Sequence, residues 1–253
     1  MDTESATAAL PHSPAQPMGL GARLVNIFIN PAAVFESIRI KPAWASVVLI
    51  LSLFSAASTF VVMQRIGPEN VALQQMKNSP MLAEQSDSEL QEKASQQAKF
   101  TLWIVLVSAL VGLWIIIPAI AGLLYLLAVM FGSDVPYKSY LALTAHTFWM
   151  YSLATSIVTW CVVFLTSDPS TIDIQNAVQA NLGVLVSRQE HPALHSLASS
   201  MDLFSFWHLA IIGLGILILT NRRWGFAKSV MIPVTLWLIY VGIKVAFVFA
   251  FSK

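Results

Sequence analysis

The sequence predicts an all-α fold, a polytopic bundle of about five transmembrane helices, and three features carry that expectation. Hydrophobic residues make up 57% of the 253 positions and charged residues only 11%, against the roughly 25% charged of an ordinary soluble domain. The charges cluster and leave long uncharged runs between them, as happens where lipid is the solvent. A short amphipathic segment with basic flanks, over residues 20–40, precedes the first such run.

Composition also narrows function. With a formal net charge of +1 and no basic stripe, the chain carries no footprint for a nucleic-acid partner. Its single cysteine, Cys161, allows neither an intrachain disulfide nor a multi-cysteine metal site; inside an apolar run it reads as a small hydrophobe.

Residues 1–19 are small, polar and Pro-rich (Pro11, Pro14, Pro17) and read as a disordered tail, not as a secretory signal, because no basic stretch leads into an apolar core. The expected membrane domain covers 20–251. In 20–40, Leu24, Ile27, Phe28, Val34, Phe35 and Ile38 recur at helical spacing around Asn30-Pro31, a capping residue followed by proline at a first helical position. With Arg23, Arg39 and Lys41 on the flanks, the segment is expected to lie on the bilayer surface, with Phe28 and Phe35 on the contact face and Arg39 and Lys41 at headgroup level. A plain helical hairpin is the other reading of the same pattern.

The spans are expected at about 43–63, 100–131, 140–166, 203–219 and 230–251. Ser52, Ser55, Ala56 and Thr59 give the first a face of small residues that lets another helix approach. At ~1.5 Å per residue a helix over 100–131 would be ~48 Å long, against a hydrocarbon core of ~30 Å. Halving it at Pro118 gives pieces too short to cross, so one tilted, kinked helix is preferred over a re-entrant pair. Polar loops fill 64–99 and 168–201. The first reads as two short helices near 69–77 and 87–99, the second of them opened by a Ser86/Glu89 capping box, and the second loop has an apolar-periodic piece near 174–186. Arg23, Arg39 and Lys41 on the N-terminal flank and Arg222, Arg223 and Lys228 before the last span fall on one side of a five-span chain. By the positive-inside rule that side is cytoplasmic, with the C-terminus outside.

Residues able to carry chemistry are few. His191 and His195 stand four apart beside Glu190, but Pro192 starts a helix there and leaves His191 at its cap, and no further ligand is near, so no metal is expected. His146 heads a polar stripe on the third span with Thr144, Thr147, Tyr151 and Thr155. Such groups bond across helices or to carbonyls, or else line a pathway. Lys244 is the charge well inside a span, at a depth like that of His208, with Asp202 just above. It reads as an anchor snorkelling toward Asp202 or the carbonyls that open the fourth span, or as part of a transport site. Gly-x-Ser-x-Gly, a phosphate-binding glycine loop and paired intramembrane aspartates are all missing, so no enzyme and no cofactor is expected.

Two stretches resemble a known family. "LVNIFINPAAVFESI" (24–38), ahead of a span opening with Pro42-Ala43-Trp44, is similar to the entry segment of bacterial Yip-family membrane proteins, and "DLFSFWHLAIIGLGI" (202–216), with its basic turn and last span, to that family's closing half. The resemblance implies a five-helix membrane domain with a cytosolic N-terminus, in a bacterial inner membrane. Eukaryotic relatives bind Rab-type GTPases in membrane traffic and carry an Asp-Leu-Tyr-Gly-Pro motif. Asp202-Leu203-Phe204-Ser205 departs from it after the leucine, which counts against GTPase binding here. The expected partners are the lipid bilayer and other membrane proteins or further copies of the chain. The expected function is to organise membrane or partners without catalysis; the alternative is a small transporter or channel component using Lys244, His208 and the stripe on the third span.

Overall fold

The computed structural model describes residues 17–77, 79, 82, 85–168, 172, 181–188 and 190–251. Nine α-helices occur among them. The tail over 1–16 and most of the 174–186 piece lie outside the described residues; of the latter a 3-10 turn, Leu182–Leu185, is described.

The entry segment folds as two antiparallel helices, α1 (Leu20–Ile29) and α2 (Pro31–Ile40). The Asn30 side chain accepts from the Ala33 amide at 3.2 Å, and Pro31 supplies the pre-set first position. The Met18 amide donates to Ser37 Oγ at 2.8 Å and closes the open end. The apolar stripe faces protein: α1 packs on α6, α2 on α8, and Ile27, Val34, Phe35 and Ile38 are all within 1% of complete burial. This corrects the expected contact face, because Phe35 is fully buried while Phe28 is 39% exposed. The two rings are seven positions apart, but a proline-broken hairpin does not continue one helical face through the turn.

α3 (Ala45–Ile66) is the first span. α4 (Pro68–Lys77) follows, and then α5 (Asp87–Met130), a single helix of 44 residues. The break expected between a polar helix near 87–99 and the span does not exist. Ser86 and Glu89 form the capping box, no glycine or proline interrupts the chain until Gly112, and Leu90 and Ala94 bury against Ala72 and Met76 of α4. The helix also runs unbroken through Pro118, so its apolar part, Phe100–Met130, is one continuous helix and not two separate ones.

α6 (Tyr137–Leu165) is the centre of the bundle, and every residue from Ser139 to Thr147 is buried. α7 (Pro192–Ala198) is short; α8 (Leu203–Leu219) and α9 (Phe226–Phe251) close the fold. α9 starts four residues before the expected 230 and takes Lys228 into its first turn. α3, α9, the apolar part of α5 and α6 are each long and apolar enough to cross a membrane. α8, at ~26 Å, is slightly shorter than a ~30 Å core. It nevertheless runs from the neighbourhood of α7 to a turn that meets the α5–α6 loop, through an Arg223–Asp134 ion pair. Two glycines let it pass so closely: a Cβ on Gly213 would meet the Val230 Cα at 2.9 Å, and one on Gly215 would strike Leu143.

Candidate functional site

The polar residues singled out by sequence fall into separate places, not one site. Lys244 sits on α9, half-buried, and its ammonium donates to Ser200 Oγ at 2.9 Å, to the Ser196 carbonyl at 3.2 Å and to Ser199 Oγ at 3.3 Å. An ammonium has three donors, and all three are used. The acceptors lie at the C-terminal end of α7, where carbonyls are left over and the helix dipole favours a cation. The expected receivers were Asp202 or the start of the fourth span. Asp202 is instead the N-cap of α8, accepting from the Ser205 amide at 2.9 Å, and pairs through its backbone with Asn181. Nothing in the α7 sequence marked it as a cradle, apart from three serines in five residues ahead of a span.

His208, on α8, stacks on Tyr151 (ring centroids 4.9 Å, 24°) and meets the edge of Phe148 at 5.3 Å; its buried Nε2 has no hydrogen-bond partner among the described residues. His146 is fully buried on α6, with Nδ1 2.7 Å from the Ala142 carbonyl and Nε2 unpartnered among the described residues. The hydroxyls of the stripe turn back on their own helix: Thr144 donates to the Tyr140 carbonyl, Thr147 to Thr144 and Thr155 to Tyr151, at 2.9, 3.1 and 2.9 Å. Such bonds satisfy a hydroxyl in an apolar bundle without a partner helix. His195, of the His191/His195 pair, is bonded through Nδ1 to the Val186 carbonyl at 2.9 Å.

Three features, one of them fully buried, carried no local signal in the sequence. Arg23 is only 2% exposed, and its Nε and Nη2 donate to the carbonyls of Met18 and Ser37 at 3.1 and 3.3 Å. The Trp149 indole donates across 125 positions to the Leu24 carbonyl at 3.1 Å, and Trp160 to Ser58 Oγ at 3.0 Å. The two tryptophan contacts join residues whose proximity only the packed bundle creates, and those of Arg23 follow from the hairpin.

At the opposite end from α7, the C-terminus of α2, the α5–α6 loop and the α8–α9 turn surround a cleft of about 430 Å³ that includes Arg39, Asp134 and Arg223. Arg39 bonds Glu36 one turn back at 3.0 Å, and Lys228 donates to the Phe131 carbonyl at 3.1 Å and lies over the Trp224 ring. The Arg223 hydrogen bond holds the exposed Asp134 carboxyl below its ordinary pKa.

Apolar helices that turn outward residues such as Trp103, Ile115, Leu126, Ile243 and Phe249 to the surroundings, each more than half exposed, define an integral membrane protein of the polytopic α-helical class. Within that class the chain belongs to the Yip1 domain family, whose model matches residues 25–247. No curated protein and no solved structure matches it.

Proposed function

We propose that the protein is a non-enzymatic membrane organiser, holding partner proteins, further copies of itself or lipid around its five-helix domain. One observation supports this reading above the transporter alternative: the ammonium of Lys244 is fully engaged by α7 and has no donor left for a substrate or coupling ion. The threonines of the α6 stripe are likewise engaged by their own backbone. The transporter reading draws on the Nε2 atoms of His208 and His146, which have no partner among the described residues. Phe28, Arg39 and Lys41 remain candidates for contact with the bilayer surface. We place the N-terminus and the arginine end in the cytoplasm of a bacterial cell and the C-terminus outside. Reporter fusions after 135 and 225 should then be active inside, and a fusion after 185 outside.

The test of function is a Lys244→Met, His208→Phe double variant in a deletion strain. An organiser should complement wherever the variant accumulates, because the Lys244 contacts are internal to the fold and neither side chain is needed for a substrate. Normal abundance with lost complementation would overturn the reading in favour of transport.

A further inference from the structure

We propose that the 3-10 turn Leu182–Leu185 and α7 form a re-entrant element, inserted into the hydrocarbon of the leaflet at the α7 end with its apolar side chains against lipid. This goes beyond the organising role, and it makes part of the polar 168–201 loop a membrane-embedded surface. The depth of the docking point carries the inference. Lys244, which holds the C-terminal end of α7, lies seven positions before the last residue of α9, Phe251, or ~10 Å along the helix. Tyr240, one turn before Lys244, and Phe247, one turn after it, are both exposed, so outward apolar side chains bracket α7 along α9. α6 agrees with α9. It runs fourteen positions, ~21 Å, past Tyr151 to Leu165, whereas α8 begins only five positions, ~8 Å, before the His208 that stacks on Tyr151. α8 therefore starts ~13 Å short of the end of α6, and α7 stands just ahead of that start.

A hydrocarbon boundary at the level of Lys244 would leave Phe164, Leu165, Phe247, Phe249 and Phe251, all exposed, standing in water. A boundary at the ends of α6 and α9 covers them with lipid, and the same lipid then reaches the 3-10 turn and α7. Leu182, Val184, Leu185 and Leu194 are each more than half exposed there. Their surface continues into the exposed Leu203 and Phe206 of α8, to which the Asn181–Asp202 bridge joins the turn. Irregular backbone at membrane depth has to be satisfied by protein. Here the Leu182 amide donates to the Met201 carbonyl at 3.2 Å and the Gly183 amide to Asn181 Oδ1 at 2.9 Å. The three donors of Lys244 are spent on α7, as an ammonium beyond the reach of water requires. The exposed Arg188 and Glu190 between the turn and α7 come up to headgroup level.

The test places a nitroxide label at Leu185→Cys or Leu194→Cys in the full chain carrying Cys161→Ser, reconstituted in phosphatidylcholine liposomes. Phe249→Cys is the lipid reference, and Ser88→Cys, exposed in the polar first turn of α5, is the water reference. Power saturation compares collisions with oxygen, which concentrates in hydrocarbon, and with a nickel chelate confined to water. Both probes should show an oxygen-to-nickel ratio like that of Phe249→Cys and severalfold above that of Ser88→Cys. A label dominated by nickel at Leu185→Cys, at Leu194→Cys or at Phe249→Cys itself would overturn the proposal. A second measurement needs no label. Leu185→Asp should lower the melting temperature in liposomes or prevent accumulation, because a carboxylate in hydrocarbon is costly, while Ser88→Asp leaves it unchanged. An aspartate tolerated equally at both positions would also defeat the proposal.

Discussion

The two ends of the bundle solve the same problem by different means. At the arginine end the connections are short, the hairpin α1–α2 is wedged into the core by Phe35, Val34 and Ile38, and charges sit exposed on the rim. At the α7 end the connections are long, and a short helix is held to α9 through one ammonium and three acceptors. The first end is held by apolar burial, where an exposed ion pair adds little. At the second end α3, α4 and α5 also pack through apolar residues, but α7 is tied to α9 by a few half-buried polar contacts. Stability at the two ends should therefore respond to different substitutions.

The largest contrast lies within the hairpin. Phe35→Asp places an unpaired carboxylate in the core and should cost about 3–5 kcal/mol or prevent accumulation. Phe28→Asp, on a partly exposed ring, should cost less than about 1 kcal/mol of folding while weakening contact with anionic vesicles. Equal thermal stability of the two variants in detergent would break the account of the wedge.

A smaller effect is expected at the other end. Lys244→Met keeps the apolar stem and strips α7 of its ligand, so the half-buried contact should cost about 1–2 kcal/mol. Hydrogen exchange should rise over 192–200 and stay unchanged over α1 and α2. Exchange that rose equally at both ends would show that α7 is coupled to the whole bundle.

The smallest effect concerns Arg223 and Asp134. Arg223→Gln should leave the melting temperature within error at neutral pH, since an exposed pair is worth little. The Asp134 pKa is depressed from 3.8 in the folded chain, so what the pair contributes is present above that value and lost as pH falls through the lower folded one. In a pH titration, whatever small difference separates Arg223→Gln from the parent at neutral pH should therefore vanish in the acid limb.

Much of this architecture is legible locally. The Ser86/Glu89 capping box, the Asn30-Pro31 start, Pro192 opening α7 with His191 at its cap, and the uncharged runs all depend on neighbours within a few residues or on bulk polarity. The first of these even outlasted its expected context, because the helix it opens does not stop at residue 99 but continues to Met130. Helix ends are harder where no breaker marks them, and 87–130 has none that a tertiary contact does not overrule.

By itself, then, the sequence determined an all-α membrane bundle, the place of each long apolar helix and the family resemblance, because hydrophobic run length and capping chemistry are properties of contiguous residues. Only the tertiary structure decided which amphipathic face is buried, that Lys244 meets α7 and not Asp202, and that Arg39, Ser139 and Arg223 share a cleft. Periodicity marks an apolar stripe but not whether lipid or protein covers it, since the two are almost equally apolar. Contacts such as Trp149 to Leu24 and Lys244 to Ser200 join residues 125 and 44 positions apart. They exist only once five helices have settled side by side.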